Sequence, residues 1–179
     1  LTAALGDFHA AALDQTKQLY FTQESYDDFY YGKGSTYPDA HGSIGILFEQ
    51  ASSRGHLQDS VNGILKFSDT IQNQVTTSLS TFAGALANKQ ALLDYQVEFA
   101  KQTKNLVKDD DFVGYILNEK FDQTRFSNMF QILSAHQIQF SPLSKDIVFD
   151  GQRFDTANSM FVPLAQPHYT WISSLCQTR

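Results

Sequence analysis

The strongest constraint on this chain is a long series of apolar residues at helical spacing. Residues three, four or seven positions apart lie on one face of an α-helix, and the series comprises Ile71, Val75, Leu79, Phe82, Leu86, Leu93 and Val97. The pattern predicts an amphipathic helix from about residue 70 to residue 104. Gly84 or the pair Asn88-Lys89 marks a place where this helix bends or divides in two.

The segment before this helix shows three different local patterns. Residues 2–20 carry apolar side chains at helical spacing and are predicted to form a helix. Residues 22–43 are rich in Gly, Asp and Ser and are typical of a loop. The short apolar run at residues 44–48 predicts an inner strand, which ends at Glu49.

Glu49 is the first candidate functional residue because of its position at the end of that strand. Open α/β sheets place their chemistry at the carboxyl ends of strands, and a charge in a buried setting needs a partner. Two interpretations follow from the local pattern. Glu49 belongs to an active site, or it is a structural carboxylate that caps a turn or pairs with Arg54.

The residues around Glu49 resemble one family of hydrolases. The segment Gly34-Ser35-Thr36 precedes Phe48-Glu49, and the similarity continues through Gln50-Ala51-Ser52-Ser53-Arg54-Gly55 into the long helix. This order resembles the catalytic-glutamate strand of zinc carboxypeptidases of the carboxypeptidase A type, in their bacterial branch. The resemblance covers approximately residues 20–100 and implies the C-terminal part of a mixed-sheet carboxypeptidase fold.

The resemblance implies roles for three residues. Glu49 would take a proton from the attacking water and pass it to the leaving amine. Tyr31 would close over the substrate, with Tyr30 and Tyr37 as competing candidates. Arg54 would orient the carboxylate or bind a substrate carboxylate, although a surface ion pair is the alternative interpretation.

No zinc ligands are expected within this chain. The family binds zinc through a His-x-x-Glu pair and a distant His, and no histidine here has Glu three positions later; the five are His9, His41, His56, His136 and His168. His41 and His56 flank Glu49 but lie in loop-like sequence. We therefore expect a fragment of a longer parent that holds zinc elsewhere, and we expect the fragment alone to be inactive.

The second half of the chain predicts a βαβ unit followed by a hairpin. Residues 112–117 and 138–140 are strand-like, with a helix between them that begins after Asp122. Asp150-Gly151 is a strong signal for a two-residue hairpin turn. A strand at residues 160–164 and a final helix after Pro167 complete the pattern.

This half resembles the opening of a domain related to class I glutamine amidotransferases, which follows the peptidase domain in these bacterial proteins. The predicted organisation is therefore an α/β chain, with a carboxypeptidase-like part at residues 1–106 and an amidotransferase-like part at residues 107–179. Glutaminase activity needs a nucleophilic cysteine on a sharp strand-to-helix turn. Cys176 lies instead in the predicted last helix, where a small buried hydrophobe is expected.

Composition narrows the possible partners. The net charge is −6, without a basic cluster, which argues against a nucleic-acid surface. No apolar run approaches the length of a membrane span. The predicted partner is a peptide substrate of a secreted or periplasmic zinc metallocarboxypeptidase, and the sequence leaves the oligomeric state open. The alternative is a non-catalytic scaffold that binds peptides or cell-wall fragments.

Overall fold

The chain is a mixed α/β protein with small antiparallel sheets, about 49% helical and 15% strand. The computed structural model describes residues 1–23, 30 and 32–176. The chain divides into two compact units, residues 1–98 and residues 99–179. The identities predicted for residues 1–106 and 107–179 stay predictions.

The elements of the first half are α1 (Thr2–Thr16), α2 (Thr36–Asp39), β1 (Leu57–Ser60), β2 (Gly63–Lys66), α3 (Phe67–Ala87) and α4 (Lys89–Asp109). The helix predicted at the beginning of the chain is confirmed as α1, which packs along α3 and buries Leu5 and His9. The two helices approach closely at Gly84, where a Cβ would lie only 3.1 Å from Leu5 Cδ2. A side chain at this position would push Leu5 or Phe8 by a few tenths of an ångström.

The predicted long helix is confirmed as two consecutive helices, α3 and α4, with a break at Asn88. This residue has φ −102° and ψ 16°, outside the helical range. Its backbone N–H and its Nδ2 both donate to the Gly84 carbonyl, at 3.0 and 2.9 Å. Asn88 thus ends α3 while keeping the chain close to the helical path. None of the described helices is long and apolar enough to cross a membrane.

The strand predicted at residues 44–49 is wrong, because residues 44–50 adopt no strand structure. A strand needs a neighbouring strand to receive its backbone hydrogen bonds. This run instead contacts the loop around α2, where the Gly45 N–H donates to Asp39 Oδ1 at 2.8 Å. Gly45 also lies against the Ser35 carbonyl, so closely that no side chain fits between them.

Residues 57–66 form an antiparallel hairpin of β1 and β2. At its turn, Ser60 Oγ donates to the Gly63 carbonyl at 2.6 Å and accepts the Asn62 N–H at 3.2 Å. The first strand is polar and largely exposed. It therefore lacks the apolar alternation that identifies a strand in sequence.

The elements of the second unit after α4 are β3 (Gly114–Asn118), α5 (Gln123–Ala135), β4 (Ser141–Pro142), β5 (Ile147–Phe149), β6 (Gln152–Phe154), β7 (Ser159–Pro163) and α6 (Tyr169–Cys176). The strand predicted at residues 112–117 and the helix after Asp122 are confirmed as β3 and α5, but residues 138–140 are not a strand, and the next strand is the two-residue β4. The predicted βαβ unit does not form a neighbouring pair of strands, because β7 lies between β3 and β4 and is antiparallel to both.

The predicted hairpin and last helix are also confirmed. Strands β5 and β6 pair across Asp150 and Gly151, whose φ angles are 49° and 74°. Two consecutive positive φ angles are typical of the type I′ turn that Asp-Gly favours. Helix α6 buries Trp171 and Ile172. They belong to the buried apolar core of this unit, together with Leu133, Ile138, Val162 and Leu164.

A buried glutamine, Gln166, joins the loop after β7 to the segment before β4. Its Oε1 accepts the Gln139 backbone N–H at 2.8 Å, and its Nε2 donates to the Gln139 carbonyl at 3.2 Å. The same Nε2 also donates to the Pro163 carbonyl. The side chain thus supplies residue 139 with the hydrogen bonds that a neighbouring strand would otherwise provide.

Candidate active site around Glu49

Glu49 is an exposed carboxylate between two anchored neighbours. The Phe48 ring contacts the His9 ring edge to face, with centroids 4.8 Å apart. On the other side, Gln50 Nε2 donates to the Thr70 carbonyl at 2.9 Å, and Gln50 Oε1 accepts Asn73 Nδ2 at 3.3 Å. Phe48 is thereby tied to α1, and Gln50 to the first turns of α3. The backbone at Glu49 is held from both sides while its side chain faces solvent.

This geometry corrects the expectation of a carboxylate at a buried strand end. Because residues 44–50 are not a strand, Glu49 lies on an exposed surface segment. A catalytic role can therefore not be argued from burial of its carboxylate. The described residues also include no ion pair between Glu49 and Arg54. The catalytic role of Glu49 therefore stays a prediction.

The residues that follow Glu49 form a tight turn beside the start of α3. Arg54 and Gly55 have positive φ angles of 40° and 99°. Ser52 Oγ accepts the Arg54 N–H, and the buried Ser53 donates its hydroxyl to the Gly55 carbonyl, each at 3.1 Å. The hydroxyls hold the turn in its left-handed conformation, which a non-glycine residue such as Arg54 adopts only at a cost.

This turn borders a shallow depression of about 240 Å³, which is lined by Ser52, Ser53, Arg54, Gly55, His56 and Phe67. The Arg54 side chain is exposed beside it. A guanidinium next to hydroxyls and an aromatic ring can bind a carboxylate attached to an apolar group. The depression is therefore the place in the described structure where Arg54 could meet a substrate, as the resemblance implies.

The three candidate tyrosines differ in their surroundings. Tyr31 lies outside the described residues, so its role stays a prediction. Tyr30 is 54% exposed, and its carbonyl accepts the Lys33 N–H at 3.0 Å. Tyr37 is half-buried against His41, with ring centroids 4.2 Å apart. Of the two described tyrosines, only Tyr30 presents an exposed ring.

Zinc does not fit the described residues. They contain no group of three His, Cys, Asp or Glu side chains that could hold a metal ion. His41 donates its Nδ1–H to the Tyr37 carbonyl at 2.9 Å, which directs this ring into a local contact. His56 lines the depression beside Arg54. A zinc-dependent reaction would therefore need ligands from outside the described residues.

His9 is a buried residue that does not stand out in the sequence as a functional candidate. The Ser80 hydroxyl donates to the Thr77 carbonyl at 2.8 Å, so His9 Nδ1 donates to Ser80 Oγ at 2.7 Å. The remaining ring nitrogen, Nε2, is buried and has no hydrogen-bond partner among the described residues. Burial lowers the pKa of His9. The available signal was its position four residues after Leu5, on the apolar face of the first helix.

The second unit has its own polar pair, at the end of α4. Tyr169 donates its hydroxyl to Asp110 Oδ2 at 2.7 Å, and Asp110 Oδ1 accepts the Phe112 N–H at 2.9 Å. Two hydrogen bonds lower the pKa of Asp110: the larger effect comes from the Phe112 N–H and the smaller from the Tyr169 hydroxyl. The hydrogen bond to Asp110 in turn raises the pKa of Tyr169. Burial raises the pKa of Cys176. This thiol is therefore protonated at neutral pH and a poor nucleophile.

Comparison of the chain with models of protein families, with curated proteins and with solved structures finds no match. The class that the structure defines is a mixed α/β protein with small antiparallel sheets.

Proposed function

We propose that this chain is part of a zinc-dependent metallocarboxypeptidase in which Glu49 carries the proton during peptide-bond hydrolysis. The observation behind the proposal is the presentation of Glu49. Its carboxylate faces solvent, while Phe48 and Gln50 anchor the backbone on both sides. Proton transfer needs a group that reaches the substrate and is held in position. The resemblance of residues 20–100 to the catalytic segment of such enzymes gives the same assignment.

In the proposed reaction Glu49 acts first as a base and then as an acid. Its carboxylate accepts a proton from the water whose oxygen attacks the peptide carbonyl. The protonated carboxyl then donates that proton to the amide nitrogen as the C–N bond breaks, which regenerates the carboxylate. Zinc would supply activation of the water in the parent protein, from ligands outside the described residues.

Substrate binding is proposed for two further residues. Arg54, at the depression beside Glu49, would bind a carboxylate of the peptide, and Tyr31 would cover the substrate. Residues 107–179 are proposed as the start of an amidotransferase-like domain without glutaminase activity, because Cys176 lies in a helix and has a raised pKa. We propose a secreted or periplasmic location for the parent.

A second candidate function is a non-catalytic scaffold that binds peptides or cell-wall fragments. The observation that favours it is the depression lined by Arg54, His56 and Phe67, which offers a cation beside an aromatic ring. Such a site needs no proton carrier. Under this alternative Glu49 would have no role in binding.

The deciding experiment uses the parent, expressed together with the coding sequence that precedes this chain. Zinc is measured by elemental analysis, and hydrolysis is measured with a blocked dipeptide that has a free carboxyl end. We expect one zinc per parent, and a loss of about a hundred- to ten-thousandfold in kcat for Glu49→Gln with zinc retained. The matched control is Glu98→Gln, the same change at an exposed position of α4.

Three outcomes would contradict the proposal. A parent without zinc would favour the scaffold, and so would near-normal activity of Glu49→Gln. Loss of zinc in Glu49→Gln, with zinc kept in Glu98→Gln, would make Glu49 a metal ligand. The chain alone serves as the negative control, because we expect that it neither retains zinc after dialysis nor cleaves the dipeptide.

A further inference from the structure

Helix α3 buries its polar side and exposes its apolar side. The side that packs against α1 includes the buried residues Thr77, Ser80 and Gly84. The other side carries the α3 apolar face, which we define as Ile71, Val75, Leu79, Phe82 and Leu86, continued on α4 by Leu93 and Val97. These seven side chains are 46–77% exposed. A surface helix normally buries its apolar stripe and exposes its polar one.

The α3 apolar face is a single continuous stripe. At 100° per residue its five members on α3 fall within an arc of about 80°, and Leu93 and Val97, four residues apart, share one face of α4. Together the seven extend along roughly 40 Å of helix, at 1.5 Å per residue. Asp69, in the first turn, is the only charged residue of α3. The net charge of −6 therefore resides almost entirely elsewhere, and two such helices can approach without strong repulsion.

The size of the face exceeds what a monomer normally exposes. Large apolar side chains at this exposure leave on the order of 100 Å² each in water, so seven leave roughly 700 Å². The largest apolar patch on a typical monomer is about 300–600 Å². Two copies of the face buried against each other would remove about 1,400 Å², within the standard range of about 1,200–2,000 Å² for stable interfaces.

We propose that the α3 apolar face binds a second copy of this chain, forming a symmetric dimer. A two-fold interface uses the same surface on both partners, and an uncharged apolar stripe is complementary to itself. Phe82 and Leu86 are its most exposed members, at 72% and 77%. They are the side chains that gain most from burial in the dimer. This inference is independent of the proposed peptidase function.

The test measures the dimer dissociation constant of the whole chain by sedimentation equilibrium. The wild type is expected to dimerise with a dissociation constant on the order of 1–10 µM, at the weak end for interfaces of this size. Phe82→Lys should raise it at least about a hundredfold, because a symmetric interface contains the substituted site twice. Leu86→Lys should act in the same direction.

The matched control is Gln74→Lys, an exposed position of α3 outside the apolar arc. It introduces the same charge into the same helix and should change the constant by less than about threefold. Far-UV circular dichroism checks that all variants keep their helices, which is expected because Phe82 and Leu86 are mostly exposed. A Lys variant that unfolds is replaced in the assay by Phe82→Ser.

Two results would overturn the proposal. One is a wild type that stays monomeric at about 100 µM, well above the expected constant. If such a monomer also binds a fluorescent apolar dye that Phe82→Lys displaces, the face is assigned to a different protein and not to a second copy. The other is a dimer that Phe82→Lys and Leu86→Lys leave intact, which would place the contact on another surface.

Discussion

Replacement of Gln166 by alanine should destabilise the second unit strongly, although the residue lies in a loop. Gln166 is only 7% exposed, and its amide makes three hydrogen bonds to backbone atoms of Gln139 and Pro163. Gln166→Ala removes all three partners at once. It leaves one backbone N–H and two carbonyls without the hydrogen bonds that they had.

The magnitude follows from these contacts. Each hydrogen bond contributes about 0.5–1.5 kcal/mol net to stability, so three contribute roughly 2–4 kcal/mol. Gln139 is exposed as a residue, and water will satisfy part of its backbone after the substitution. We therefore expect a loss of about 2–3 kcal/mol, a large share of the roughly 5–15 kcal/mol that stabilises a domain.

The assay is urea unfolding followed by tryptophan fluorescence. The chain contains one tryptophan, Trp171, which is 3% exposed in α6 and therefore reports on the second unit. A loss of this size should lower the urea midpoint by about 1–2 M for a small domain.

The chain offers a matched control in Gln139→Ala. Gln139 joins this network through its backbone N–H and carbonyl, which alanine keeps. The same Gln-to-Ala change should therefore cost less than about 0.5 kcal/mol. Equal effects of the two substitutions, or a midpoint unchanged in Gln166→Ala, would refute the bridging role of Gln166.

A glutamate at this position provides a test with a pH signature. Gln166→Glu keeps the acceptor oxygen but replaces the donor Nε2 with a second oxygen, which, when the group is ionised, faces the Gln139 and Pro163 carbonyls without a proton to donate. The folded-state pKa of the new carboxyl should therefore be raised above its unfolded value near 4.3. Its contribution to stability is fully present below that value and is lost as pH rises through the raised pKa. Gln166→Glu should therefore be more stable near pH 4 than near pH 7, relative to wild type.

Two further predictions concern His9 and Gly114. Burial lowers the folded-state pKa of His9 below the ordinary value near 6.5. The contribution of neutral His9 to stability is therefore complete above pH 6.5 and is lost as pH falls from there toward the lowered pKa. Urea unfolding followed by circular dichroism should show this loss of stability in acid for the wild type, and a His9→Asn protein with an unchanged pH slope would contradict it. Gly114→Ala should cost about 2–3 kcal/mol by overpacking, because its Cβ would lie 2.5 Å from the Phe161 ring and from the Val162 carbonyl; an unchanged Trp171 unfolding midpoint would contradict this.

The sequence alone determined the elements that depend on nearby residues. The helices α1, α3 and α5 follow from apolar residues at a period of 3.6, which is a property of each helix itself. The β5–β6 hairpin follows from Asp150-Gly151, because this dipeptide accepts two positive φ angles. The same holds for Cys176, because the local pattern predicts the helix that contains it.

Only the tertiary structure decided which strands exist and what surrounds each side chain. The apolar run at residues 44–48 has the composition of a strand, but it contacts the loop around α2, and no strand of the described part of the chain pairs with it. Glu49 was therefore expected at a strand end and is found on an anchored surface segment. The burial of His9 and the bridging by Gln166 likewise depend on residues distant in the chain.

The strand β7 shows the physical reason most clearly. Its sequence predicts a strand, but its position between β3 and β4 comes from pairs such as Gly114 with Pro163 and Ser141 with Phe161. Backbone conformation is a local preference, and nearby residues encode it. Pairing depends on which distant segment the rest of the chain brings alongside, and packing of the whole unit makes that choice.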